Sequence, residues 1–252
     1  MAPGPDPVAR ASGGRPPVRW VDTPTGTLVV GLVTALAAGV IVSGTALWLR
    51  PIQAANQDID TVRDVLEVAG IPWEGDPRRA FARQVRVRMV DLATGEYTAG
   101  VDPVGYDPVA YARDPETSRE IPKDEDIAGV GRVGNVARVY LIQEEGELRG
   151  VVLPVRGQAW SEISALLAVA EDGNTILGFK AYRHEETPGL GGRVDDSDWR
   201  ALWAGKLLRD AGGTLRFRVG PTGEGADAAF RVDALTGATF TSEGVQNIVR
   251  FW

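Results

Sequence analysis

The sequence predicts an α+β protein in which one N-terminal transmembrane helix precedes a single mixed α/β domain. Three observations predict it. Residues 27–49 carry no charge, the strand-like and helix-like segments beyond them follow no regular alternation, and the length remaining after the span suits one domain.

Residues 1–26 are rich in Pro, Gly, Ala and Arg without apolar periodicity, so they bury too little surface to order and are expected as a disordered cytoplasmic tail. The run TLVVGLVTALAAGVIVSGTALWL at 27–49 spans roughly 34 Å at the helical rise, enough for a bilayer core. A buried core helix would rarely stay uncharged on every face, and a cleaved signal peptide has a shorter apolar region of about 7 to 15 residues. The expectation is a transmembrane helix with Trp48 and Arg50 as interface anchors. Arg10, Arg15 and Arg19 before the span, against Arg50 and Arg63 after it, favour a cytoplasmic N-terminus and place residues 50–252 outside the cytoplasm.

After Pro51, residues 56–69 set Ile59, Val62, Leu66 and Ala69 at helical spacing, and Gly70 reads as the cap of a short juxtamembrane helix. QVRVRMVDL at 84–92 alternates as a strand does. Residues 136–142 and 148–155 flank a Glu-Glu-Gly-Glu turn, and 163–170 and 175–182 bracket Glu-Asp-Gly-Asn, predicting two hairpins. Trp199, Leu202, Trp203 and Leu207 give residues 196–208 the apolar face of an amphipathic helix, and 241–252 predicts a closing helix. No internal repeat is visible.

Composition narrows the chemistry. The net charge is -7, and residues 1–50 hold four arginines against Asp6 and Asp22, so the acidity lies beyond the span. Such a domain repels a phosphate backbone, which argues against a nucleic-acid partner, and any bound anion needs a local device such as a helix N-terminus. With no cysteine and one histidine, His184, Cys-ligated iron–sulfur or zinc sites and multi-His metal sites are excluded. If the chain moves electrons, an organic cofactor carries them. His184 is expected as an exposed loop histidine outside any mechanism.

The chemistry-bearing stretch is DALTGATFTS at 233–242, which sets the hydroxyls of Thr236, Thr239, Thr241 and Ser242 around Gly237-Ala238 just before a helix. Small residues let a phosphate approach backbone N–H groups at a helix start. Read alone, however, the same residues favour plain N-capping. ETPGLGG at 186–192, likewise read alone, is a surface turn.

The run Asp-x-x-Thr-Gly-Ala-Thr at 233–239 resembles the recognition pattern of the flavin transferase that joins FMN to a hydroxyl. LRPIQAANQDIDTVRDVLEVAGI, LPVRGQAW, ETPGLGG and TGATFTSEGVQN, in that order, resemble the NqrC family of subunits from the sodium-translocating NADH:quinone reductases. The resemblance implies an electron-transfer flavoprotein in which FMN is bound covalently, by a phosphoester to Thr239, with Asp233, Thr236, Gly237 and Ala238 completing the motif. It implies that Thr187, Gly189 and Leu190 lie near the flavin ring and that Lys206, in WAGK, is a phosphate partner, where the residue alone reads equally as a solvated lysine. No catalytic acid–base residue and no metal ligand is expected. The implied partners are the other subunits of a six-subunit inner-membrane complex and the flavin transferase. The implied route takes electrons from a metal centre in the membrane subunits to another flavin, coupled to sodium export. Thr236 stands where the family more often has Ser. The alternatives are the related FMN subunit of ion-translocating ferredoxin:NAD oxidoreductases, against which LRPIQ and LPVRGQ argue, and an anchored binding module without flavin.

Overall fold

The computed structural model describes residues 23–103, 105–221 and 225–252, so most of the expected tail, with Arg10, Arg15 and Arg19, lies outside the described residues, as does the Arg50 side chain. Helix α1 is assigned over Pro24–Val68. It begins three residues inside the expected tail because Thr23 caps it, accepting from the Gly26 N–H at 3.1 Å, with Pro24 in the first-turn position that tolerates a missing N–H. Span and juxtamembrane segment are thus one helix rather than two, and Pro51 ends neither. The chain divides into two compact units, 1–56 and 57–252.

In the first unit, residues 24–49 have a mean hydropathy of 2.2, and Leu28, Leu32, Leu36, Val40, Ile41, Leu47 and Trp48 all point outward. Apolar surface of that extent is unfavourable in water by about 25 cal/mol per Å², so the helix calls for an apolar solvent. It is long and apolar enough to cross a membrane, consistent with a single-pass anchor.

The second unit opens with the last turns of α1. Gly70, at φ +68°, donates to the Glu67 carbonyl while Ile71 donates to that of Leu66, the paired bonds of a Schellman cap, and Leu66 and Ile71 are both buried. Helix α2 (Pro77–Gln84), capped by Asp76, delivers the chain to β1 (Val85–Asp91). β2 (Tyr97–Thr98), β5 (Val136–Glu144), β6 (Glu147–Gln158), β7 (Glu162–Ala170) and β8 (Ile176–Arg183) complete an antiparallel six-stranded sheet in the order β2-β1-β5-β6-β7-β8. Both expected hairpins form. The β5–β6 turn holds Glu145 at φ +53° and Gly146 at φ +90°, the primed geometry that matches strand twist.

β7 is buried on both faces. Ile163, Ala165, Leu167 and Val169 face one core with Trp203, Phe217 and Ile248, while Leu166 and Ala168 face another with Val65 and Leu66 of α1. Between β2 and β5 the chain forms α3 (Pro108–Arg113) and the short pair β3 (Ser118–Glu120) and β4 (Arg132–Gly134), none of which periodicity predicts at such lengths.

The helix expected over 196–208 is cut short. A 3-10 turn, Gly191–Asp195, leads into α4 (Ser197–Ala201). Gly205, at φ +78°, then turns the chain back so that Lys206 and Leu208 bond beside β8, through Ile176 N–H to the Lys206 carbonyl and Leu208 N–H to that of Asn174. Trp199 and Trp203 are buried as the apolar face requires, but the second wins its place by stacking on Phe179, ring centroids 4.2 Å apart. β9 (Arg218–Gly220) and β10 (Arg231–Asp233) pair in parallel, and α5 (Thr239–Phe251) closes the fold two residues earlier than expected.

Within the second unit Glu67, in the last turn of α1, accepts from Arg200 and from Lys180, which also meets Asp64 at 2.7 Å. Burial alone would raise the Glu67 carboxyl; the hydrogen bonds and charges of Lys180 and Arg200 outweigh it and hold the group below the usual carboxylate range. A depressed carboxylate stabilises the fold above its unfolded pKa of about 4.3, and that stabilisation is lost as pH falls through the folded value. Glu67→Gln is therefore expected to melt lower than wild type at pH about 7 and to converge with it towards pH about 3. Melts that differ equally at every pH would contradict the ionic account.

Candidate functional site

The parallel pair β9–β10 runs Asp233 to the edge of the core, where its carbonyl accepts from Trp199 Nε1 at 2.7 Å. Ala234 N–H bonds back to the Gly220 carbonyl, and Leu235 is buried, fixing the start of the turn. Residues 235–238 then reverse the chain, Ala238 N–H donating to the Leu235 carbonyl at 3.0 Å, with Gly237 at φ +81°. A side chain at that φ would be strained, which is the reason for glycine at this turn.

The four hydroxyls of the motif sort into two kinds. Thr241 and Ser242 are buried and engaged: Thr241 Oγ1 donates to Glu186 Oε2 at 2.6 Å, and Ser242 Oγ donates to the Ala238 carbonyl and accepts from Leu235 N–H, both at 3.0 Å. Thr236 and Thr239 are exposed, Thr239 as the first residue of α5. The residue before it, Ala238, has no side chain able to cap, and no side-chain cap bond is made at this N-terminus. The capping reading is thereby corrected: the hydroxyls that sequence alone assigns to α5 are spent elsewhere or point outward. No side-chain cap therefore competes at the N-terminus of α5, the end of a helix whose orphan N–H groups and positive dipole favour an anion.

The 186–192 loop packs directly on this turn. Thr187-Pro188-Gly189-Leu190 is a tight turn, Leu190 N–H donating to the Thr187 carbonyl at 3.1 Å, with Gly189 at φ +76°. Leu190 lies 3.4 Å from where a Cβ would stand on Gly237. Beneath the turn, Glu186 is buried at 5 % exposure, and one carboxylate oxygen takes Ser161 N–H and Oγ, each at 2.8 Å, while the other takes Thr241. Gly191 is required here by space, since a Cβ would come within 2.3 Å of Glu186 Oε2 and 2.4 Å of Thr241 Oγ1.

Around Thr239 the surface is apolar. Phe240 and Trp160 are 69 % and 67 % exposed, their ring centroids 6.4 Å apart, and Leu190 is half exposed. Large apolar side chains left together on a surface mark an interaction site. The site thus gathers Asp233, Thr236, Gly237, Ala238, Thr239, Thr187, Gly189 and Leu190. Lys206 makes its contact elsewhere, its ammonium donating to the Ala228 carbonyl at 2.9 Å.

Sequence reasoning missed the roles of Glu186, Ser161, Thr241, Trp160 and Phe240, which connect or flank loops far apart in the chain. An acidic residue just before a Pro-Gly turn was the available signal for Glu186. His184 is also more enclosed than expected: Nδ1 accepts from Glu186 N–H at 3.2 Å, which leaves the ring proton on Nε2, 3.0 Å from Asp195. Among the described residues, no cluster of acidic or histidine side chains could hold a metal ion.

Residues 158–252 match the FMN-binding domain family. The chain is 41% identical over 239 residues to the NqrC subunit of the Na(+)-translocating NADH-quinone reductase of Pseudomonas aeruginosa, covering 92% of each chain. It is 38% identical over 234 residues to the same subunit from Neisseria meningitidis serogroup B, covering 92% of this chain and 90% of the relative. The crystal structure of Shewanella oneidensis NqrC superposes with a TM-score of 0.74 at 37% identity, over 79% of this chain and 92% of that one.

Proposed function

This chain belongs to the NqrC family of Na(+)-translocating NADH-quinone reductase subunits, with an FMN-binding domain, and from that premise we propose that it holds FMN covalently through Thr239 and relays electrons within the assembled complex. The observation that carries the reading is the exposed Thr239 hydroxyl at the uncapped N-terminus of α5. A phosphoester at its Oγ keeps the phosphate charge beside the N–H groups that open there, which favours the anion in a domain otherwise acidic. Asp233, Thr236, Gly237 and Ala238 form the stretch that a flavin transferase reads, and the exposed turn offers it to that enzyme.

When bound, FMN supplies the reversible uptake and release of electrons; the chain supplies position and potential. Trp160, Phe240 and Leu190 offer apolar surface to the ring, and Glu186 holds the 186–192 loop against α5 so that this surface keeps its shape. Thr187 and Gly189 belong to this wall, whereas the phosphate role of Lys206 rests on resemblance alone. Attachment removes dissociation, which suits a carrier that must stay loaded outside the cytoplasm.

In this reading residues 27–49 cross the inner membrane with a cytoplasmic tail before them, and residues 50–252 form the periplasmic domain, passing electrons from a membrane metal centre to another flavin. A fluorescent chain under denaturing conditions supports covalent flavin, and a dark one from a maturation-competent host refutes it. Topology is read separately, from C-terminal reporter fusions: activity only in the cytoplasm would overturn the periplasmic assignment.

A further inference from the structure

A second concavity lies on the other face of the sheet, the face of Tyr140 and Leu166 opposite the one on which α5 packs. It is a partly open cavity of about 260 Å³ bounded by the sheet, the last turns of α1 and the segment around α3. Sites for drug-sized ligands run to about 300–1,000 Å³, so this one suits a single ring and a small substituent. Its walls are largely flat and apolar: the rings of Tyr106, Tyr140 and Tyr182 with Pro154 and Leu166.

The charges on its lining do not balance within the cavity. Asp64 is held by Lys180 at 2.7 Å, and Asp107 accepts the first N–H groups of α3, from Val109 at 2.9 Å and Ala110 at 3.3 Å. Arg183 lies 3.3 Å from Glu162, and Arg156 donates to the Arg132 carbonyl at 2.8 Å with Glu162 at 3.7 Å. Arg138 differs. Its guanidinium lies over two tyrosine rings, 5.9 Å from the Tyr106 centroid and 5.8 Å from that of Tyr140. Nη1 donates to the Pro103 carbonyl at 3.0 Å, Nε is buried without a partner, and among the described residues no carboxylate pairs with this cation. A half-buried arginine with a buried, unpartnered Nε and no carboxylate beside it is an uncommon arrangement unless an anion comes to it.

We infer that the cavity bounded by Tyr106, Tyr140, Tyr182, Pro154 and Leu166 binds a small aromatic carboxylate, its ring against the tyrosines and its carboxylate on Arg138. No covalent or redox step is involved.

Calorimetric titration of the full-length, flavin-bearing chain in detergent with benzoate, and separately with its neutral analogue benzamide, tests this. Benzoate should bind saturably with a Kd of about 1 mM or tighter, as a nine-heavy-atom ligand allows, and benzamide about tenfold more weakly. Arg138→Met should remove the preference for benzoate, and Val136→Phe, which enters the cavity from the same face of β5 as Arg138 and leaves that residue in place, should remove binding altogether. Covalent flavin should be unchanged in both. The benzoate–benzamide comparison needs no variant, so it decides the matter even if a variant fails to fold. No saturable binding, equal binding of the two probes, or binding untouched by both variants would overturn the inference. Binding to the isolated chain that vanishes in the assembled complex would assign the cavity to a partner's carboxylate side chain and overturn the small-molecule reading.

Discussion

Thr239→Ala is expected to give a folded chain that carries no covalent flavin. The threonine is exposed at the first position of α5 and caps nothing, so deleting its hydroxyl strands no buried partner. Surface changes of that kind fall within about 0.5 kcal/mol, a shift of no more than about 2 °C in Tm for a domain of this size. Flavin fluorescence in a denaturing gel should nevertheless fall to background. Thr239→Ser restores the hydroxyl and should restore the label. Thr241→Val makes the opposite pattern: it leaves the buried Glu186 oxygen unpaired, at about 1–3 kcal/mol, yet should keep covalent flavin. A Thr239→Ala chain that still fluoresces, or a Thr241→Val chain that is folded and dark, would reverse the assignment.

Gly191→Val is expected to be the most disruptive single change in the 186–192 loop. Its Cβ would fall within 2.3 Å of Glu186 Oε2 and 2.4 Å of Thr241 Oγ1, and both groups are buried, so neither can swing into solvent. Overpacking costs about 1–3 kcal/mol, and breaking the Glu186–Thr241 bond adds about 1–3 kcal/mol more. Together these correspond to a fall in Tm of roughly 5–20 °C. On the proposal that a flavin transferase reads the 233–239 run rather than this loop, folded Gly191→Val should keep covalent FMN while its flavin absorption spectrum shifts and quinone reduction by the assembled complex slows. Gly189→Val meets no atom within 4 Å and is strained only through its φ of +76°, so it should cost less, about 1–3 kcal/mol. Equal stability of the two variants, with wild-type spectra in both, would reduce the loop to a surface turn.

Much of this architecture is legible in the chain because it rests on local rules. The apolar run at 27–49, the alternation in 84–92, and the Gly146 and Gly173 turns between apolar segments each report an element through its own period or punctuation. What failed did so where tertiary contacts overrule local preference. Residues 196–208 have a helical apolar face, yet Gly205 and pairing beside β8 end α4 after five residues. The three-residue strands β3, β4, β9 and β10 are shorter than any periodicity test can resolve. At the site, the run 233–242 was visible as a motif, but which of its hydroxyls are free was not. That distinction depends on Glu186, 55 positions before Thr241, and on Ser242 turning back to Leu235. A hydroxyl at a helix start reads as a cap until its partner is known.

Everything proposed for the flavin turns on the identity of the acceptor, which fragmentation mass spectrometry of the flavin-bearing peptide reads without a variant. Cleavage after Arg231 and Arg250 releases residues 232–250, which hold all four hydroxyls of the motif. The FMN phosphoester is expected on Thr239 alone, with Thr236, Thr241 and Ser242 unmodified; FMN on any of those three, or a peptide with no flavin from a chain matured beside its transferase, would contradict the assignment.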